Sequence, residues 1–153
     1  MKTPILLLTS FLLFSSGCGD GRPSRVPVSG QVLIDGEPLK CGTITFIPAG
    51  HRASRGKLDH DGRFTLSCFG ENDGAVLGKH KVEVTAFEKV KPTLMRWHAP
   101  KKYQDQATSG LSQEITGPTD NVVINLAWSG GKPFDEVYYS VEANYKTLDE
   151  ASK

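Results

Sequence analysis

The chain has 153 residues, enough for one domain with an ordinary core, and 38% of them are hydrophobic. Lys plus Arg number 18 against 17 for Asp plus Glu, which excludes the strongly basic character of a general nucleic-acid binder. Sixteen Gly, nine Pro and no long apolar stretch of period 3.6 exclude a helical bundle and point to an all-β domain with many turns.

The first element is a targeting segment. Lys2 is a short basic start, residues 5–14 (ILLLTSFLLF) are an apolar run, and Ser15-Ser16-Gly17 put small residues before Cys18. A run of ten residues is too short to span a bilayer core of ~30 Å as a helix. The junction resembles the bacterial lipoprotein signal, which implies that residues 1–17 are removed and Cys18 is acylated, although Ser15 stands where that signal usually has an aliphatic residue. Residues 18–27 then read as a short tether.

A β-domain is expected over 28–128. The first strand is placed at 26–34, with Val26, Val28, Gly30, Val32 and Ile34 on one face. Asp35-Gly36 is a strong hairpin signal, and Thr43–Pro48 is expected as the return strand with Ile44 and Phe46 inward. Residues 56–59 lead into a second hairpin at His60-Asp61-Gly62, and Phe64, Leu66 and Cys68 alternate along the strand that follows. The Gly-rich loop 69–78 precedes a strand at 79–87 whose inward residues are His80, Val82, Val84 and Ala86. Residues 111–115 are expected as a short strand opposite 121–128, where Val122, Ile124, Leu126 and Trp128 share a face. Six or seven short strands so arranged define a single antiparallel β-sandwich of transthyretin-like or Ig-like type.

Two regions depart from this pattern. Residues 88–110 read as a long connection, because Pro92 and Pro100 are incompatible with a strand interior. Residues 129–153 form a C-terminal extension that opens on Ser-Gly-Gly and offers 136–145 as an edge strand.

The ordered blocks VSGQVLIDGEPLKCGTITFIP, GKLDHDGRFTL, GKHKVEVTA, APKKYQDQATSGLSQEI and NVVINL resemble the small predicted lipoproteins of the planctomycete type, over residues 26–126. The resemblance implies a carboxypeptidase regulatory-like or transthyretin-like sandwich without an established catalytic role. Cys41 departs from it, since that turn commonly has Gly there.

Candidate chemistry is sparse. Asp59-His60-Asp61-Gly62 contains the DxDG of a calcium loop, but that loop's first and twelfth positions fall on Lys57 and Cys68, so a hairpin turn is the better reading. His51, His60, His80 and His98 lack metal-ligand spacing, which leaves no metal or cofactor to be expected. No GxSxG motif occurs, and Ser109 and Ser112 lack a marked base. The enzyme branch of the transthyretin-like class ends Tyr-Arg-Gly-Ser, whereas this chain ends Asp-Glu-Ala-Ser-Lys, so no enzyme is expected.

What remains is a basic and aromatic stretch, Lys89, Lys91, Arg96, Trp97, His98, Lys101, Lys102 and Tyr103, read as a candidate interaction surface for envelope polysaccharide or a protein partner. Its structural alternative is that Trp97 and Tyr103 cover an open edge of the sandwich. Cys41 and Cys68 are expected at opposite ends of the domain and unbridged. The expected whole is an exported, lipid-anchored, non-catalytic envelope module with no nucleic-acid partner. The alternative is an accessory or regulatory domain of an envelope hydrolase, or a weak enzyme of the transthyretin-like class.

Overall fold

In the computed structural model, which describes residues 21–138, strands and turns make up the fold. Cys18 and the expected signal segment lie outside the described residues, as does the chain from 139 onward. In chain order the strands are β1 (Arg25–Val26), β2 (Val28–Ile34), β3 (Glu37–Pro38), β4 (Thr43–Pro48), β5 (Ser54–Lys57), β6 (Arg63–Thr65) and β7 (Ala75–Val76). They continue as β8 (Gly78–Thr85), β9 (Phe87–Lys91), β10 (Leu94–Trp97), β11 (Leu111–Ile115), β12 (Thr119–Leu126) and β13 (Phe134–Val137). A 3₁₀ turn occupies Lys101–Gln104. Among the described residues no helix is long and apolar enough to cross a membrane.

The all-β sandwich expected from the strand periodicity is what forms. One sheet has the order β11-β8-β4-β5; the other is built on β2, with β12 along one edge and both β3 and β6 along the other. Period-two alternation explains which side chains fill the space between them. Val28 and Val32 come from β2, Ile44 and Phe46 from β4, Phe64 from β6, Val82 and Val84 from β8, and Val122, Ile124 and Leu126 from β12. Phe46 and Phe64, from opposite sheets, bring their ring centroids to 6.0 Å.

Strand pairing departs from the expected order in three places. The Asp35-Gly36 turn forms, with both residues at positive φ (49° and 87°) as a type I′ turn requires, but its return strand β3 is only two residues long. The rest of that edge of β2 is taken by β6, so Leu39 turns into the core and β4 joins the other sheet. Strand β11 does not face β12: it pairs with β8, and the Thr116-Gly117-Pro118 link carries the chain across to β2. There β12 runs parallel to β2, so the sandwich is not wholly antiparallel. Finally, residues 88–110 are not an irregular connection. Pro92 sits in the turn of a β9–β10 hairpin, where its missing N–H costs no ladder bond.

The Asp59–Gly62 turn is a corner between the two sheets. The Asp59 carboxylate accepts from the backbone N–H of Asp61 (2.9 Å) and of Arg63 (2.8 Å), closing the turn with protein donors. Its DxDG sequence is thereby spent on backbone geometry.

Candidate functional site

Outside the sandwich stands a third sheet of order β13-β10-β9. Strand β10 is central because it pairs on both sides: Trp97 lies opposite Phe87 of β9 and opposite Phe134 of β13. Residues in register on an antiparallel sheet share a face, so these three rings form a ladder. Centroids are 5.2 Å apart for Phe87–Trp97 and 6.2 Å for Trp97–Phe134, the latter pair 15° from parallel. Trp128 meets Phe134 edge-on at 6.4 Å and extends the ladder back to the end of β12. Trp97 is buried, but Phe87 and Phe134 remain 43% and 39% exposed. Val90 and Val137 are exposed apolar residues on the same small sheet.

Charge on this sheet is arranged in pairs. Arg96 donates to Asp135 through Nε (2.7 Å) and Nη2 (2.9 Å), a fork-to-carboxylate geometry. That hydrogen bonding, with the attraction between the charges, raises the Arg96 pKa and holds the Asp135 carboxyl below its usual range. Glu136 accepts from Lys101 Nζ and from the Trp97 indole N–H (2.8 Å), and these donors, Lys101 first, lower its pKa as well. His98 Nε2 lies 3.1 Å from Glu88 Oε1, close but not aligned as a hydrogen bond.

The eight residues of the basic and aromatic stretch are therefore divided. Lys89, Lys91, Arg96, Trp97, His98 and Lys101 belong to the third sheet or its immediate margin, with Lys89 Nζ 5.7 Å from the Tyr138 ring and Lys101 Nζ 4.9 Å from that of Trp97. Lys102 is exposed and stacks on Tyr103. Tyr103 is a core residue of the sandwich; its hydroxyl donates to the Ala127 carbonyl (3.3 Å) and accepts from the Ala127 N–H (3.1 Å). Tyr103 thus closes one margin of the fold. The third sheet also enlists Phe134 and Asp135, which lie outside the expected elements, Phe87 from the end of the expected 79–87 strand, and Glu136; the edge strand expected over 136–145 forms at Phe134–Val137, and its residues 139–145 lie outside the described residues.

The remaining candidates are structural. His80 is fully buried, with Nε2 2.9 Å from the Val76 carbonyl and its ring against Phe46. Ser109 donates to the Val82 carbonyl (2.7 Å) and accepts from the Leu111 N–H (3.2 Å), which fixes the start of β11. Cys41 is half-buried and Cys68 buried, both as free thiols. Among the described residues no group of three or more His, Cys, Asp or Glu side chains is placed to hold a metal ion. A cleft of about 570 Å³ beside β5 and β6 is lined by Arg55, Lys57, Asp59, Arg63, Glu71 and Asp120, and of these Asp59 is engaged by the corner turn.

No protein-family model, curated protein or solved structure matches the chain. The class defined by the fold is an all-β sandwich carrying a small aromatic side sheet.

Proposed function

We propose that this chain is a non-catalytic binding or scaffold module of the bacterial cell envelope, carried on a lipid at Cys18, and that the β13-β10-β9 sheet is its binding face. The observation that supports this is the aromatic ladder, whose outer rings, Phe87 and Phe134, present apolar surface on a sheet bounded by β9, which pairs on one side only among the described residues. All five residues of β9 are exposed. An exposed strand edge flanked by apolar rings suits an extended protein segment, which takes main-chain hydrogen bonds from the edge and places side chains on the rings. Glu88, Lys89 and Lys91 on that strand disfavour its pairing with a second copy of itself. A polysaccharide fits less well, because Trp97 lies between Phe87 and Phe134 and offers no open ring face for a sugar to stack on.

The test is affinity capture from the native envelope with the tagged full chain, in parallel with the Phe87→Ser, Phe134→Ser double variant. A partner should come down with the parent and be lost from the variant; an identical set from both removes the third sheet as the binding face. Anchoring is tested separately. The parent should take up labelled fatty acid and fractionate with membranes, and Cys18→Ala should do neither.

A further inference from the structure

A second cluster of side chains lies where the described chain begins. The turn after Cys68 is held by Asp73, whose carboxylate accepts from the backbone N–H groups of Cys68 (2.6 Å), Phe69 (3.1 Å) and Gly70 (3.0 Å). That turn presents the half-buried ring of Phe69. Three guanidinium groups surround this ring: Arg22 at 5.0 Å, Arg25 at 4.8 Å and Arg52 at 5.3 Å from its centroid. They come from two parts of the chain: Arg22 and Arg25 from the segment brought there by β1 pairing with β7, and Arg52 from the loop between β4 and β5.

Asp73 Oδ2 lies 2.9 Å from Arg25 Nε, so the carboxylate that holds the turn also positions one of the three guanidinium groups. Arg22 and Arg52 are exposed. Beside the cluster is a hollow of about 340 Å³ lined by Arg52, Ala53, Arg55, Ser67 and Cys68, so Arg52 shares that space with a second guanidinium and a hydroxyl. Planar guanidinium groups with a hydroxyl are the donor set that suits a phosphate.

We propose that Arg22, Arg25 and Arg52, arrayed on Phe69, bind the headgroup phosphates of anionic lipid and hold the sandwich against the bilayer by this end. The occupant follows from where the cluster lies along the chain. Arg22 follows Cys18 by four residues, no more than about 14 Å of extended chain, and the apolar run 5–14 lies shortly before that. The proposal rests on the envelope-lipoprotein reading for its setting, but its chemistry does not need the acyl group. Basic residues close to a membrane surface each strengthen attraction to anionic lipid by about fivefold.

Every side chain of the central core lies between Val28 and Leu126, so residues 19–153 contain the whole fold and lack the acylation site. Purified 19–153 should co-sediment with vesicles containing one-third phosphatidylglycerol and not with pure phosphatidylcholine vesicles, and added salt should weaken the association. The Arg22→Gln, Arg52→Gln double variant should bind roughly thirtyfold more weakly, from about fivefold per arginine. The Lys91→Gln, Lys102→Gln control removes the same charge elsewhere and should bind as the parent does. Circular dichroism of each variant establishes that the fold is retained. The proposal is overturned if 19–153 ignores anionic vesicles, if it binds neutral vesicles equally, or if the control loses as much as the arginine variant. Because the fragment carries no Cys18, none of these outcomes depends on whether the full chain takes up fatty acid.

Discussion

Trp97 and Phe134 stand opposite one another on β10 and β13, their rings 15° from parallel and 6.2 Å apart at the centroids. This contact, with the Arg96–Asp135 and Lys101–Glu136 pairs beside it, docks the segment that follows the sandwich onto the β9–β10 hairpin. A basic stretch that would otherwise present uncompensated charge becomes a largely neutral sheet with an apolar face. The aromatic contacts contribute more to the docking than the ion pairs do, because the pairs are exposed and water screens them.

Phe134→Ala should therefore release β13 while leaving the sandwich folded. Both tryptophans contact Phe134, so their emission should move to longer wavelength. Losing the ring contacts should weaken the docking by about 1 kcal/mol or more. Asp135→Asn should shift the emission less. An unchanged spectrum in Phe134→Ala would show that the ladder does not hold the third sheet together.

Gly30 is predicted to be the least replaceable position of β2. A Cβ built there would lie 2.1 Å from the Val122 carbonyl oxygen and 2.8 Å from the Val122 Cβ, so the backbone of β12 would have to move. Gly30→Ala should cost about 3 kcal/mol or more by forcing apart a packed pair of core strands. Gly117 has nothing within 4 Å of the equivalent position, and Gly117→Ala should change stability by less than about 0.5 kcal/mol. Urea unfolding of the two variants measures the contrast; equal midpoints would contradict the β2–β12 register.

Much of this architecture was legible because each long strand has one face in the core. The alternation in 79–87 and 121–128 marked His80, Val82, Val84, Val122, Ile124 and Leu126 as inward, and all six are buried. Periodicity states which face a residue takes and says nothing about which strand lies alongside, so the parallel β2–β12 pair and the move of β4 to the other sheet were not legible. Pro92 excludes a strand interior but not a hairpin turn, and the turn between β9 and β10 is where it sits. The candidate surface was half legible. Its aromatic and basic residues are adjacent in sequence, whereas the acids that neutralise them, Asp135 and Glu136, lie 39 and 35 positions from their partners Arg96 and Lys101. The arginines on Phe69 were invisible for the same reason, since β1–β7 pairing and a distant loop assemble them.

Acid should loosen the 68–76 loop before the sandwich unfolds. Burial pushes the Asp73 carboxyl up, but the N–H groups of Cys68, Gly70 and Phe69, together with Arg25, outweigh it and hold the pKa below the usual carboxylate value. A carboxyl lowered on folding stabilises the fold above its unfolded pKa of about 4, and that contribution is lost as pH falls from there through the lower folded value. Hydrogen exchange at the Cys68, Phe69 and Gly70 amides, corrected for intrinsic rates, should show strong protection near pH 6 and much less near pH 3. Asp73→Asn should remove most of the difference. Equal protection at both pH values would mean that Asp73 does not hold the turn.

The two described cysteines should differ in reactivity. Cys41 lies beside the β4 end where Thr43 pairs with Lys57, whereas Cys68 lies beside the opposite end, where its Sγ donates to the Arg52 carbonyl at 3.6 Å. Six strand residues separate these ends by roughly 20 Å, well beyond the reach of a disulfide at about 7 Å between Cα atoms. Burial, with the Glu88 carboxylate adding to it, raises the Cys41 pKa, so its thiolate is scarce at neutral pH. In native 19–153, iodoacetamide should modify Cys41 slowly near pH 7 and much faster above about pH 9, while buried Cys68 stays protected until denaturant is added. Glu88→Gln should speed the Cys41 reaction at neutral pH by removing the neighbouring negative charge. Peptide mass spectrometry reads both sites at once: a 41–68 cross-linked peptide would contradict the strand arrangement, and faster labelling of Cys68 than of Cys41 in the native protein would contradict the burial assigned to them.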